Sequence, residues 1–219
     1  MTTVITGANR GIGLELARQS AARGEQVIAV CRSSSAALDD LGVRVEAGVD
    51  VTSDDAVASL ADRLSGTRID RLINNAGILR RETLDDLDFD SIRTQLEVNS
   101  LGPLRVSAAL SSLMGDGSKI GIVTSRMGSI GDNSSGSRYG YRMSKAAVNA
   151  AGVSLARDLA PRGIAVVLLH PGFVRTEMTG GNGNVGPDEA AGQLLARLDE
   201  LTLETSGRFV HANGEQLPW

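Results

Sequence analysis

Short apolar runs alternate along this chain with longer stretches of helical periodicity, and that alternation restricts its folding more than any other feature. Residues 3–6, 26–32, 43–49, 69–74, 119–125, 164–169 and 207–211 read as strands. Between them, residues 11–23, 53–65, 89–113, 141–159 and 187–201 read as helices, the third with a bend near Gly102-Pro103. The helix at 53–65 opens on Ser53-Asp54-Asp55, a good N-terminal signal, and carries Val57, Leu60, Ala61 and Leu64 at helical spacing. Residues 33–42 are too few and too polar for a full crossover helix, so a stub is expected there. Strands alternating with helices make βαβ crossovers and a mostly parallel sheet. The strands are near-continuous apolar runs, as required when helices cover both sheet faces.

The first crossover carries a glycine loop. Thr6-Gly7-Ala8-Asn9-Arg10-Gly11-Ile12-Gly13 lies between the first strand and the first helix. Gly7 permits the tight turn, Gly11 lets backbone approach a pyrophosphate, and Gly13 lets helix and strand pack closely. The helix N-terminus then offers free N–H groups to phosphates. A plain strand-to-helix turn is the competing reading. At the end of the second strand, where an NAD site places an acid for the ribose 2′-OH, stands Arg32, followed by Ser33, Ser34 and Ser35. An Arg there pairs with a 2′-phosphate, and Arg10 adds a second charge, so the expected cofactor is NADP(H). The expected fold is a Rossmann-type, doubly wound, mostly parallel seven-stranded α/β sheet flanked by helices. With 219 residues and no repeat, low-complexity tract or linker, one domain spanning 1–219 is expected.

Composition removes several function classes. A net charge of −4 argues against nucleic-acid and anionic-membrane partners. The one cysteine, Cys31, cannot make an internal disulfide and falls in an apolar run, where a buried inert thiol is expected. His170 and His211 are far apart in sequence and no Cys/His cluster suggests a metal. The run at 164–169 is too short to span a bilayer, and no targeting segment is visible. A cytoplasmic location is expected.

Tyr141 and Lys145 stand four residues apart, on one face of a helix. An ammonium beside a phenol favours the phenolate, and a Tyr so tuned exchanges a proton with a carbonyl or alcohol oxygen. The spacing alone arises by chance on many helices, where it means a solvated Lys beside a half-buried Tyr.

With the glycine loop and this pair in one chain, the sequence resembles the short-chain dehydrogenase/reductase family over nearly its whole length. The family's motifs match, in order, Thr6 to Gly13, Asp50 followed by Val51, Asn74-Asn75-Ala76-Gly77, Asn99, Ser125, Tyr141 with Lys145, and Pro171-Gly172 with Thr176 beyond. Within the family, Ser125-Arg126-Met127-Gly128-Ser129-Ile130 and the ending Leu217-Pro218-Trp219 are most similar to small carbonyl reductases and C-factor-like proteins.

The resemblance implies hydride transfer between a nicotinamide and a carbonyl or alcohol carbon. It implies Tyr141 as acid, Lys145 tuning Tyr141 and holding the nicotinamide ribose, Ser125 bonding the substrate oxygen, and Asn99 holding a water that links Lys145 to solvent. It implies a cofactor site of Gly7, Asn9, Arg10, Gly11, Ile12, Gly13, Arg32, Asp50, Val51, Asn75, Ala76, Gly77, Tyr141, Lys145, Pro171, Gly172, Val174 and Thr176, with Asp50 on the adenine. One departure is the 16-residue separation of Ser125 and Tyr141, longer than usual, which 133–137 absorbs as a loop beside the pocket. The short Gly/Asn-rich cover at 173–186 suggests an open pocket for a small-molecule carbonyl: an aldehyde, ketone or quinone. The helix from Tyr141 is small-sided and apolar nearly all round, so burial on more than one side is expected, and the resemblance implies a homodimer through this helix and the long one before it. A dinucleotide-binding regulatory protein and an alcohol dehydrogenase working oxidatively are the alternatives.

Overall fold

The computed structural model describes residues 1–219. Seven strands form one sheet: β1 (Thr2–Thr6), β2 (Gln26–Val30), β3 (Arg44–Glu46), β4 (Arg71–Asn74), β5 (Lys119–Val123), β6 (Ala165–His170) and β7 (Phe209–His211). Their order across the sheet is β3-β2-β1-β4-β5-β6-β7, and every neighbouring pair is parallel. The connecting helices are α1 (Gly11–Ala22), α2 (Ala36–Asp39), α3 (Asp54–Arg63), α4 (Phe89–Leu96), α5 (Gly102–Ser111), α6 (Tyr139–Leu159) and α7 (Pro187–Glu200). The four-residue α2 is the expected stub.

The unbroken apolar strands are explained by two cores, one on each sheet face. Val4, Ile28, Val30, Leu72, Ile120 and Val166 point to the side covered by α3, α5 and α6. Ile5, Val27, Ala29, Ile73, Ala165 and Val167 point to the side covered by α1 and α7. Successive strand residues face opposite ways, so a sheet buried on both faces needs an apolar residue at each position.

Four elements differ from the sequence reading in ways that matter at the site. β2 stops at Val30 and β5 at Val123, which leaves Arg32 and Ser125 in the loops just beyond the carboxyl ends of their strands. The predicted helix over 89–113 is two helices joined by a π-helical turn at Glu97–Leu101, so the irregularity precedes Gly102-Pro103 and contains Asn99. Finally, α6 begins at Tyr139, ahead of Tyr141. It is also not enclosed: Met143, Ala147 and Ala150 are exposed, so one face is open in the single chain. The cover is an ordered turn, with Val174 paired to Val185 and Asn184 N–H donating to Phe173 C=O at 2.7 Å. No helix is long and apolar enough to cross a membrane.

Candidate active site

The glycine loop lines a cleft of about 240 Å³ at the carboxyl end of the sheet, with Arg32, Asp50, Val51, Ala76 and Gly77 among its walls. Gly7 and Gly11 hold φ of +66° and +55°, a region that L side chains rarely adopt. A Cβ on Gly13 would lie 2.1 Å from the Gly7 carbonyl oxygen, so no larger residue fits between loop and helix. Asn75 braces this loop: its Nδ2 donates to the carbonyls of Thr6 at 3.1 Å and Gly7 at 3.2 Å. The Thr6 hydroxyl accepts from the backbone N–H groups of Asn75 and Ala76.

The cationic residues of the cleft divide. Arg32 is exposed and makes no ion pair or side-chain hydrogen bond, so its guanidinium is free to take an anion. Arg10 instead pairs with Glu177 of the cover at 2.6 Å, an exposed contact of little intrinsic strength. One Asp50 oxygen accepts from the Thr52 N–H and hydroxyl. Those bonds, with Arg32 and Arg105 adding electrostatically, hold the carboxyl below its ordinary range.

A second cavity, of about 740 Å³, adjoins the first; Ile12, Thr176 and Met178 line both. Ser125 and Tyr141 open into this one, as do Pro171, Gly172 and Val174, which the sequence reading had placed with the cofactor. Ser134 and Ser135, from the extra length between Ser125 and Tyr141, form part of its rim. Tyr141 is 8% exposed. Burial raises its pKa, and the Ser125 side chain offsets part of that rise. The expected lowering by Lys145 is not what dominates, because the ammonium is itself desolvated: burial depresses Lys145 from 10.5 to about 8. Lys145 lies 5.8 Å from the Tyr141 ring centre, and its Nζ donates to the Val123 carbonyl at 2.9 Å.

Asn99 lines neither cavity. It is fully buried in the π-helical turn, and its Nδ2 donates to the Ile78 carbonyl and to Ser144 Oγ, at 2.8 and 3.0 Å. Its Oδ1 accepts from Ile78 N–H at 2.8 Å. Both amide donors are therefore spent on fixing the strand exit after β4 and the Lys145 helix. Gly77 sits against this group; a Cβ there would meet Asn99 Oδ1 at 3.2 Å and Lys145 Nζ at 3.7 Å.

Two features escaped the sequence reading. Glu82 is 2% exposed, with no cation beside it. Its carboxylate accepts from Gln95 Nε2, the Ser91 hydroxyl and the backbone N–H of Gly140, one residue before Tyr141. Arg138, the N-cap of α6, supplies no capping side chain, so Glu82 caps the helix from another part of the chain. The other feature is the meeting of His170 and His211, opposite each other on β6 and β7 with ring centres 4.9 Å apart. Burial presses His170 down to about 3, so a neutral imidazole faces the second cavity.

Residues 1–184 match the family model described as short chain dehydrogenase. The chain belongs to the short-chain dehydrogenase family. It is 46% identical to the 1-hydroxy-2-glutathionyl-2-methyl-3-butene dehydrogenase of a Rhodococcus species, over all of this chain and 99% of that protein. It is 42% identical to C-signal of Myxococcus xanthus, over 69% of this chain and 93% of that one. Among solved structures, the NADPH-bound carbonyl reductase from chicken fatty liver is similar with a TM-score of 0.89 and 30% identity, covering 100% of this chain and 98% of that one. Within the short-chain dehydrogenases this oxidoreductase falls in the carbonyl reductase and C-factor-like group.

Proposed function

We propose that this short-chain dehydrogenase reduces a carbonyl compound to an alcohol at the expense of NADPH, with Tyr141 as the acid. The observation that carries the proposal is the union of two cavities. The one holding Ser125 and Tyr141 runs into the one lined by the glycine loop, sharing Ile12, Thr176 and Met178. The glycine cradle fits a dinucleotide pyrophosphate, and the free Arg32 fits a 2′-phosphate. A chicken carbonyl reductase of the same fold is described with NADPH bound. NADPH supplies the hydride when bound.

The chain's own groups then have defined tasks. Ser125 holds the carbonyl oxygen beside the Tyr141 phenol. With the cofactor bound, the carbonyl carbon would receive its hydride while Tyr141 gives its proton to the oxygen, leaving the alcohol, the oxidised cofactor and a tyrosinate. Burial suits Tyr141 to this direction, because a raised pKa keeps the phenol protonated until the oxygen becomes basic. Lys145, near half-charged at about pH 8, stabilises the tyrosinate and passes a proton back. We assign it the nicotinamide ribose as well, a task that requires Nζ to leave or share the Val123 carbonyl. Asn99 acts by positioning Lys145's helix through Ser144.

One observation favours a second reading, oxidation of an alcohol. The Rhodococcus relative, far more similar in sequence than the carbonyl reductases, is named as a dehydrogenase of a hydroxybutene carrying a glutathionyl group. An absorbance screen at 340 nm across aldehydes, ketones, quinones and their alcohols decides the direction. NADPH consumption that Tyr141→Phe cuts by about a thousandfold, with NADPH binding intact, is the expected result. Comparable turnover by Tyr141→Phe refutes the assignment. We also propose that two copies pair through the two long helical stretches, α4–α5 and α6, which leave Leu101 of the π-helical turn, Leu104 of α5 and Met143 of α6 exposed; a monomeric mass in sedimentation equilibrium refutes it.

A further inference from the structure

The second cavity has a charge opposite to that of the molecule around it. The chain as a whole carries −4. The cavity wall contains Arg81, Arg126, Arg138 and Arg142 against a single carboxylate, Asp132. Only one of these guanidinium groups is neutralised: Arg126 pairs with Asp132 at 3.4 Å and with Glu215 at 3.0 Å. Arg142 has no acidic partner. Its donors go to the Gly136, Ser137 and Met127 carbonyls and to Ser135 Oγ, which ties the rim loop to α6.

Arg81 and Arg138 are different. Neither side chain makes an ion pair or a hydrogen bond within the chain, yet both line the cavity. They come from separate segments, Arg81 beyond β4 and Arg138 immediately before α6. Arg138 is held at φ +52°, ψ +47°, next to Ser137 at φ +53°. Two consecutive non-glycine residues in the left-handed region carry a conformational cost, and here they set the direction in which an unpartnered cation leaves the backbone. Its backbone is fixed by an N–H donated to the Glu82 carbonyl at 2.8 Å. A cavity wall with three arginines lacking any acidic partner is an anion-attracting surface, because low-dielectric walls concentrate the field of uncompensated charges.

We propose that the substrate of this enzyme bears a carboxylate remote from the reacting carbon, and that Arg81 and Arg138 bind it. This rests on the reading of Ser125 and Tyr141 as the reacting end of the same cavity. The cations and the phenol then divide the cavity between them, the carboxylate fixing the far end of the substrate while Ser125 holds the carbonyl oxygen.

The test compares 4-carboxybenzaldehyde with benzaldehyde, using NADPH consumption by the full chain. The expected result is a kcat/KM higher for the carboxylate by about tenfold or more, the order of one charge-assisted hydrogen bond. The advantage should lie mainly in KM and shrink as ionic strength rises from roughly 20 to 300 mM. In the double variant Arg81→Gln/Arg138→Gln, the ratio of the two kcat/KM values should fall to near one. That ratio is internal to each protein, so a loss common to both aldehydes does not disturb it. A wild-type ratio near one overturns the proposal while leaving carbonyl reduction standing, and a ratio unchanged in the variant overturns the assignment to these two arginines. Calorimetric titration with 4-carboxybenzyl alcohol and benzyl alcohol reads the preference without turnover. Tighter binding of the carboxylate, lost in the double variant, supports the anion site even in a chain that reduces neither aldehyde, a result that would sink the reductase reading alone. Equal binding of the two alcohols by such a chain overturns the anion site.

Discussion

Replacing Lys145 with Met should make the cofactor-free protein more stable and, at the same time, inactive. Lys145 is 4% exposed, and burial lowers its pKa from 10.5 to about 8. In the unfolded chain it keeps the higher value. Between those two pH values the folded chain therefore binds fewer protons, and stability rises with pH; the cost of burying the charge is complete below about pH 8 and gone above about 10.5. At about 1.36 kcal/mol per pH unit, that cost is about 3 kcal/mol near pH 6.5 and about 2 kcal/mol near pH 9. Methionine retains the length and the apolar stem, and removes the charge. Against its gain stands the lost hydrogen bond to the Val123 carbonyl, worth about 1–2 kcal/mol. Urea denaturation of both proteins near pH 6.5 should thus find the variant more stable by about 1–2 kcal/mol. That margin should shrink by about 1 kcal/mol near pH 9. A margin independent of pH, or one that grows with pH, would refute the claim that a charged amine is buried at a cost.

Other perturbations test other parts of the site. Arg32→Gln should lower kcat/KM for NADPH by about ten- to a hundredfold with little effect on NADH, as loss of a charge-assisted contact to a 2′-phosphate requires; an unchanged NADPH/NADH ratio would remove Arg32 from the cofactor site. Glu82→Ala leaves the N–H of Gly140 and the Gln95 amide without their acceptor, and should cost about 2–4 kcal/mol in denaturant unfolding, with Glu82→Gln recovering much of it. Equal stability of all three proteins would show that the cap contributes nothing. Gly13→Ala sets a methyl group 2.1 Å from the Gly7 carbonyl and should weaken NADPH binding by about a hundredfold or more, read by fluorescence titration.

What could be read from the sequence was what local spacing encodes. The strand–glycine loop–helix and the Tyr141/Lys145 pair each lie within a few residues, and the parity of apolar positions announced a sheet covered on both faces. Glu82 was invisible for the opposite reason. It sits among Arg80, Arg81 and Thr83, a string that reads as a solvated loop, and its partner Gly140 is 58 residues away. Arg10 looked like a free cation because Glu177, 167 residues later, is not in view from the loop. The tuning of Tyr141 was misjudged because spacing reports neighbours and says nothing of the desolvation that they share. The glycine-proline pair at 102–103 drew attention as the place for a bend, whereas the irregularity lies one turn earlier, at Asn99.

That turn has a consequence for the facing of α5. A π-helical turn accommodates one residue more than the α-helix on either side would, so α5 keeps the facing it would have in a continuous α-helix one residue shorter. Each α-helical residue turns through about 100°, so rewinding residues 97–101 as α-helix with none removed would swing α5 by about that angle. Arg105 and Ala109 would then take the core positions of Val106 and Leu110. The turn therefore decides which side of α5 meets the sheet.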